Sequence, residues 1–402
     1  MSKQTFIVDG VRTPIGNFGG SLSSVRTDDL AALAIKSLLD RHPDLDLNQI
    51  EDVIMGCANQ AGEDNRNVAR MAGLLAGLPV SVGGETINRL CASGMASVIN
   101  ASRAIKDGAG DLYIAGGVEH MTRGPWVISK ATSAYGRDSK MHDSSFGWRF
   151  VNNKMEDMYG VDGMGVTAEN LVEKYAIDRE SQDAFALWSQ QKVAQGLKNG
   201  FFDDEITPVS IPQRKKDPII FSQDEFSRPN SSMESLGGLR AVFKKEGSVT
   251  AGNSSGLNDG AAALLVASEN AINSNSLTPL ARIVSASVAG VQPRIMGIGP
   301  VYASQKALKQ AGLTLDDMDV IEMNEAFSAQ VLACSRTMGL DDKDSRINPN
   351  GGAIALGHPL GMTGARILLT AARQLKRNNG RYALVTMCIG VGQGYATVIE
   401  SA

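Results

Sequence analysis

The chain has 402 residues, 43% of them hydrophobic, enough for a large buried core and more than one domain. A formal net charge of −4 argues against a nucleic-acid footprint, which needs a basic stripe, and any anionic ligand must find local cations. Four scattered cysteines (Cys57, Cys91, Cys334, Cys388) form no CxxC pair or zinc spacing, and no apolar run reaches the ~18 residues of a membrane helix; the expectation is a soluble, cytoplasmic protein without a secretory leader.

In chain order, "TFIV" (residues 5–8) predicts a first strand and "TDDLAALAIKSLLDRH" (27–42) a helix. "LDLNQIEDVIMGCANQ" (45–60) sets a leucine-flanked turn before a buried "DVI" strand and a polar loop. In "TINRLCASGMAS" (86–97) a β-branched strand leads to Cys91, and "SGMASVINASRAIKDG" (93–108) reads as a helix. A cysteine at that joint is either a small hydrophobe or a thiol facing unpaired N–H groups and the positive end of a helix dipole, which favour the thiolate. "DLYIAGG" (111–117) is the next strand.

Residues 123–246 differ in character. They carry aromatics and charge ("SSFGWRFVNNKMEDMYG", 144–160), amphipathic stretches (167–176 and 179–197) and a basic passage, "IPQRKKDPII" (211–220). They read as an inserted lid that ends where "SVTAGNSSGLNDGAAALLVAS" (248–268) returns to an apolar strand. The predicted domains are therefore 1–122 plus 247–271, the lid 123–246, and 272–402.

The last domain repeats the first. A helical pattern (302–312) precedes "LTLDDMDVIEMNEAFS" (313–328), which resembles residues 45–60. Cys91 lies 39 positions after Asp52, and His358 lies 39 positions after Asp319. A helix follows each (359–377 in the second copy, with Pro359 in its first turn), then an apolar strand (381–388) that ends at Cys388. Two such halves imply α/β domains related by a pseudo-twofold axis, with Cys91 and His358 meeting helix N-terminus to helix N-terminus.

Each candidate has a bland alternative. His358, in the glycine-rich "GGAIALGHPLGMTGAR" (351–366), is a base for Cys91 or a partner of nearby backbone groups. Cys388 is packing or chemistry; the "IGVGQG" after it exposes N–H groups suited to an oxyanion, and the strand that follows excludes a dinucleotide fingerprint. Asn324 holds a water or caps the following helix, with Glu325 in the first turn. A metal shared by Cys91, Cys388 and His358 lacks a fourth ligand.

Together "NRLCASG", "NEAF", "GHPLGMTGAR" and "CIGVGQG" resemble the thiolases, over a likeness running from "VRTPIGNFGG" (11–20) to the C-terminus. The resemblance implies a five-layered α-β-α-β-α thiolase fold of two repeated α/β domains with a loop domain over the first, usually assembled as a homotetramer, a dimer of dimers. It implies Cys91 as the acylated nucleophile, His358 as its activator and an oxyanion donor, and Cys388 as the acid/base. Asn324 would hold a water in one oxyanion hole, and the N–H groups of Cys91 and Gly390 would form the other. Coenzyme A would be a substrate, not a permanent cofactor, with Ser255 beside its pantetheine, Arg228 near its nucleotide, and Met164 and Met296 lining the acyl pocket. Gly163 stands where many biosynthetic thiolases have histidine, which opens the pocket.

Residues 56–72, "GWRF" (147–150) and "YGVD" (159–162) look like the thiolases that cleave 3-oxoadipyl-CoA in aromatic-acid degradation. A general 3-oxoacyl-CoA or acetoacetyl-CoA thiolase is the alternative, and from another class a non-catalytic acyl-CoA or lipid binder of the same fold. A dicarboxylic acyl chain requires a cation or a set of hydrogen-bond donors; Arg149, otherwise a surface arginine in an ordinary ion pair, is a candidate, and Arg66 or Arg70 could serve instead.

Overall fold

The computed structural model describes residues 3–402. The first half runs through strand β1 (Thr5–Arg12), β2 (Gly16–Asn17), helix α1 (Thr27–Asp40), β3 (Asp52–Gly56), α2 (Val68–Leu75), β4 (Glu85–Ile87), α3 (Ser93–Asp107) and β5 (Leu112–His120). A middle segment holds the hairpin β6 (Trp126–Ile128) and β7 (Met141–Asp143), helices α4 (Asn153–Tyr159), α5 (Met164–Tyr175) and α6 (Arg179–Lys198), the hairpin β8 (Val209–Gln213) and β9 (Lys216–Phe221), and α7 (Met233–Gly237). The chain then returns through β10 (Asn258–Ser268) and α8 (Glu269–Ser274). The second half has β11 (Ala281–Gly290), α9 (Gly299–Ala311), β12 (Val320–Met323), α10 (Ser328–Thr337), α11 (Ala353–Leu356), α12 (Leu360–Asn378), β13 (Tyr382–Ile389) and β14 (Gln393–Ser401).

The internal repeat is a repeat of topology. One half orders its strands β3-β5-β10-β1 and the other β12-β13-β14-β11. In each the first pair is parallel and the rest antiparallel. A short β1–β11 pairing, Phe6 with Arg282 and Ile7 with Ala281, joins the two into one continuous sheet that the sequence does not announce. Helix stops repeat as well: α3 ends on Gly108 and α9 on Gly312, both left-handed, where glycine is free of the Cβ clash.

Three apolar clusters define five layers. One packs α1 and α2 against the outer face of the first half, and another packs α9 and α10 against the outer face of the second. Between the two halves the central cluster takes residues of α3 and α12 (Val98, Ile105, Leu368, Leu375) together with strand residues of both (Leu264, Val385). Everything in α12 from Gly361 to Ala372 is buried, as a helix with apolar neighbours on all sides requires.

The middle segment straddles the halves rather than covering the first alone. Arg12 of β1, fully buried, donates to both carboxylate oxygens of Asp224 (2.7 and 2.9 Å) and to Glu205 (3.1 Å), fixing the segment to the first half. Leu171 of α5 and Phe185 of α6 enter the second half's outer core.

Candidate active site

Cys91 stands in a tight turn, Leu90–Ala92, immediately before α3, with Leu90 held at φ +48°. His358 directly precedes Pro359, which caps α12 from outside its first turn. The two helices approach closely because glycine stands at the contact. A Cβ on Gly94 would lie 2.6 Å from the Gly361 carbonyl oxygen and 2.9 Å from the Ala365 nitrogen, and one on Gly364 would strike the Met95 backbone. Cys91 and His358 thereby face one cavity of ≈ 700 Å³, whose wall also holds Cys388.

His358 is buried and its orientation is fixed. Its backbone N–H donates to Asn258 Oδ1 (3.0 Å), and Nδ1 lies 2.8 Å from Thr363 Oγ1. The Thr363 hydroxyl gives its proton to the Pro359 carbonyl (2.8 Å), so Nδ1 is the imidazole donor and Nε2 keeps a lone pair. Nε2 meets Asn324 Nδ2 at 3.4 Å. Burial, with the nearby Arg366 guanidinium, drops the His358 pKa to about 3, so the ring is neutral at pH 7.

Cys91 is pushed the other way: enclosure raises its thiol to about 11, against N–H donation from Gly390 and from its own backbone. Gly390 lies against the same turn, a Cβ there falling 3.3 Å from Leu90 Cδ1. Burial, with Cys91 and Cys334 adding, holds the Cys388 thiol well above its ordinary value. Cys388 packs with Met296, Ala326 and Phe327, and Met164 lies against that cluster.

Phe243, Leu239, Leu236, Ser231, Ser235, Arg228 and Ser255 also line the cavity. Ser255 Oγ donates to the Ala326 carbonyl (3.1 Å). The Arg228 guanidinium rests 5.9 Å from the Phe226 ring. Met164 and Met296 both line the wall, and at Gly163 no atom lies within 4 Å of where a Cβ would stand. Of the residues that the resemblance assigns to catalysis and coenzyme A, Cys91, His358, Cys388, Ser255, Arg228, Met164 and Met296 line the cavity, Asn324 adjoins it through His358, and Gly390 lies against Leu90 and Met164.

Some readings fail. Asn324 does not cap a helix: α10 begins at Ser328 behind an uncapped Phe327, and Asn324 Oδ1 is buried without a partner. Glu325 is not in a first turn either. Its carboxylate lies buried, accepting from Ser189 Oγ (2.6 Å), Asn348 Nδ2 (2.8 Å) and the Ile354 N–H (3.1 Å), which ties α6 to the loop before α11. Arg149, Arg66 and Arg70 are absent from the cavity wall. Cys91, Cys388 and His358 do not converge closely enough to share an ion; the one such group among the described residues is Cys57, Asp64 and Glu119.

That group went unseen in the sequence. Glu119, next to last in β5, accepts N–H bonds from Ala58 (3.0 Å), Asn59 (3.1 Å) and Gly361 (2.8 Å), joining the first half to the start of α12; burial raises it to about 7. Asp64 accepts from the Gly62 N–H (2.8 Å) and faces the Cys57 sulfur (3.7 Å). The signal was an acid closing an apolar strand, "GGVEH". Thr363, which sets the His358 tautomer, also escaped notice, since a threonine inside a helix carries no mark of its partner.

Residues 5–270 match the thiolase N-terminal domain and residues 277–401 the thiolase C-terminal domain. The chain is 55% identical to a beta-ketoadipyl-CoA thiolase of Acinetobacter baylyi over 99% of both chains. It is 58% identical to the 3-oxoadipyl-CoA/3-oxo-5,6-dehydrosuberyl-CoA thiolase of Escherichia coli, again over 99% of each. Among solved structures it resembles human mitochondrial 3-ketoacyl-CoA thiolase in complex with CoA, with a TM-score of 0.92 and 41% identity over 100% of this chain and 98% of that one.

Proposed function

The chain belongs to the thiolase family of acyltransferases, and from that membership we propose that it cleaves 3-oxoadipyl-CoA with coenzyme A to give succinyl-CoA and acetyl-CoA. The observation that carries the reading is the convergence of Cys91, His358 and Cys388 on one cavity.

Cys91 sulfur attacks the C3 carbonyl carbon while its proton passes to His358 Nε2, whose lone pair is the receptor. The oxyanion on C3 is held by the N–H groups of Cys91 and Gly390. Breaking C2–C3 leaves succinyl on Cys91 and expels the acetyl-CoA enolate, whose oxygen is met at Asn324 and the protonated His358 and whose C2 takes the Cys388 proton. Coenzyme A then gives its thiol proton to the Cys388 thiolate and attacks the acyl carbon. Succinyl-CoA leaves, and Cys91 recovers its proton from His358.

The largely apolar cavity suits a pantetheine arm beside Ser255, with Arg228 toward its phosphates and Met164 and Met296 around the acyl group. The exposed apolar residues of the β6–β7 hairpin support assembly of several copies, a dimer of dimers.

Mass spectrometry after incubation with 3-oxoadipyl-CoA, without free coenzyme A, should find a succinyl adduct on Cys91 and none in Cys91→Ala. Cys388→Ser should acquire the adduct slowly, because a hydroxyl is a far weaker acid than a thiol. An adduct surviving in Cys91→Ala, or full turnover in Cys388→Ser, would overturn these roles.

A further inference from the structure

Resting on the roles given to Asn324 and His358, we propose that Arg366 and Glu322 form a positioning pair, joined through buried water, that braces β12 against α12 beneath those two residues.

The placement follows from the periods of strand and helix. Along β12, Val320 enters the central apolar cluster, whereas Ile321 and Met323 enter the outer one. Alternation therefore turns Glu322 toward the central layer, where α12 lies. Asn324 comes next in that alternation, its backbone N–H bonded to the Thr386 carbonyl of β13 (3.0 Å). Arg366 follows His358 by about two helical turns, or ~12 Å at ~1.5 Å per residue. Long side chains on a helix lean toward its N-terminus, which brings the guanidinium back toward the level of Glu322, ~7 Å of strand below Asn324. Each group is the strongest counter to the other's burial: burial raises Glu322 to about 8 against the pull of Arg366, and lowers Arg366 against the pull of Glu322.

The pair lacks direct contact. Arg366 is 1% exposed, yet its Nε, Nη1 and Nη2 have no hydrogen-bond partner among the described residues, and buried Glu322 Oε1 has none either. Glu205 Oε1 is a further unpaired atom against the same helix. Its other oxygen accepts from Thr370 Oγ1 (3.3 Å), one turn past Arg366, and from Arg12 Nε (3.1 Å). Leaving such groups unpaired in the interior is costly.

That donors and acceptors stand unpaired together selects the ligand. A halide would accept from the guanidinium and offer nothing to the carboxyl oxygens, and a metal cation would do the reverse. Water does both, and a buried water makes about three such bonds. Removing one end of the pair strands the other in the interior, whereas replacing both by apolar side chains removes the need for water. The 3.4 Å approach of Asn324 Nδ2 to His358 Nε2 depends on how β12 lies against α12, and so on the pair.

The test is a cycle of Arg366→Met, Glu322→Leu and the two together, read on kcat and on KM for coenzyme A. Each single change should lower kcat about tenfold or more and leave KM within about twofold, because neither residue lines the cavity. The double variant should regain much of kcat, its loss falling well short of the product of the single losses. Losses that multiply, or an unchanged kcat in Arg366→Met, overturn the pairing. Where Arg366→Met yields no folded protein, Glu322→Gln, of equal size, decides by the same split. A crystal structure of the wild type should show water within hydrogen-bond distance of both Arg366 and Glu322. A bromide peak there after soaking, or a guanidinium fork placed directly on the carboxyl group, overturns the water bridge. A wild type that forms no acyl-enzyme at Cys91 would overturn the catalytic reading instead, a separate outcome.

Discussion

Cys91 and His358 shift in opposite directions, the thiol up to about 11 and the imidazole down to about 3, and both shifts come first from burial. At pH 7 each is therefore neutral: the thiol is far below its pKa and the imidazole far above its own. Transfer of the thiol proton to Nε2 has to be driven by the arriving carbonyl, whose developing oxyanion the two N–H groups stabilise. Helix placement alone argues for a standing thiolate; enclosure reverses that balance, and enclosure is a tertiary quantity no short motif reports. In the free enzyme, iodoacetamide should label Cys91 at a rate rising about tenfold per pH unit through neutrality, as the thiolate fraction does well below its pKa. A rate that levels off near neutral pH would mean a standing thiolate–imidazolium pair instead.

At the scale of elements, the contact of α3 with α12 decides whether the two catalytic candidates meet. Gly94 and Gly364 permit that contact, and Gly117 adds to it, since a Cβ there would run into the Gly361 carbonyl. Gly94→Ala should push α3 away from α12, costing about 1–3 kcal/mol as overpacking in a tight core does. Acyl-enzyme formation should fall more steeply than stability, because Cys91 moves with the helix. Thermal unfolding together with acylation kinetics checks this; wild-type values of both would show that the contact has slack. These helices were readable in the sequence because their apolar patterns and their equal 39-residue offsets from the "DVI" strands are local signals. The β1–β11 junction rests on two residue pairs, and the Glu325 hub on partners 23 to 136 positions away, so neither leaves a local trace. Asn324 misled for a related reason: asparagine before a helical stretch suggests a cap, yet α10 starts four residues later because the site claims the side chain.

For the whole molecule, the surface carries what the fold does not use. The β6–β7 hairpin projects Trp126 (71% exposed), Ile128 (66%) and Met141 (60%), and Tyr135 at its far end is fully exposed. Large apolar side chains left in water on a two-stranded hairpin are a liability for a lone subunit, and a two-stranded ribbon has no core of its own to hold them. The strand order ends at the short β4, a second open edge, which pairs only with β3. Two unsatisfied surfaces on one chain suit a closed assembly with two kinds of contact, which a dimer of dimers has. Sedimentation should therefore give a mass near four times the 42.5 kDa subunit. The pair of changes Trp126→Ser and Met141→Ser should reduce it to two subunits, with thiolysis retained, since neither residue lines the catalytic cavity. A wild type sedimenting as a single subunit would remove the assembly. An assembly of unchanged size in the double variant would move the contact from the hairpin to another face.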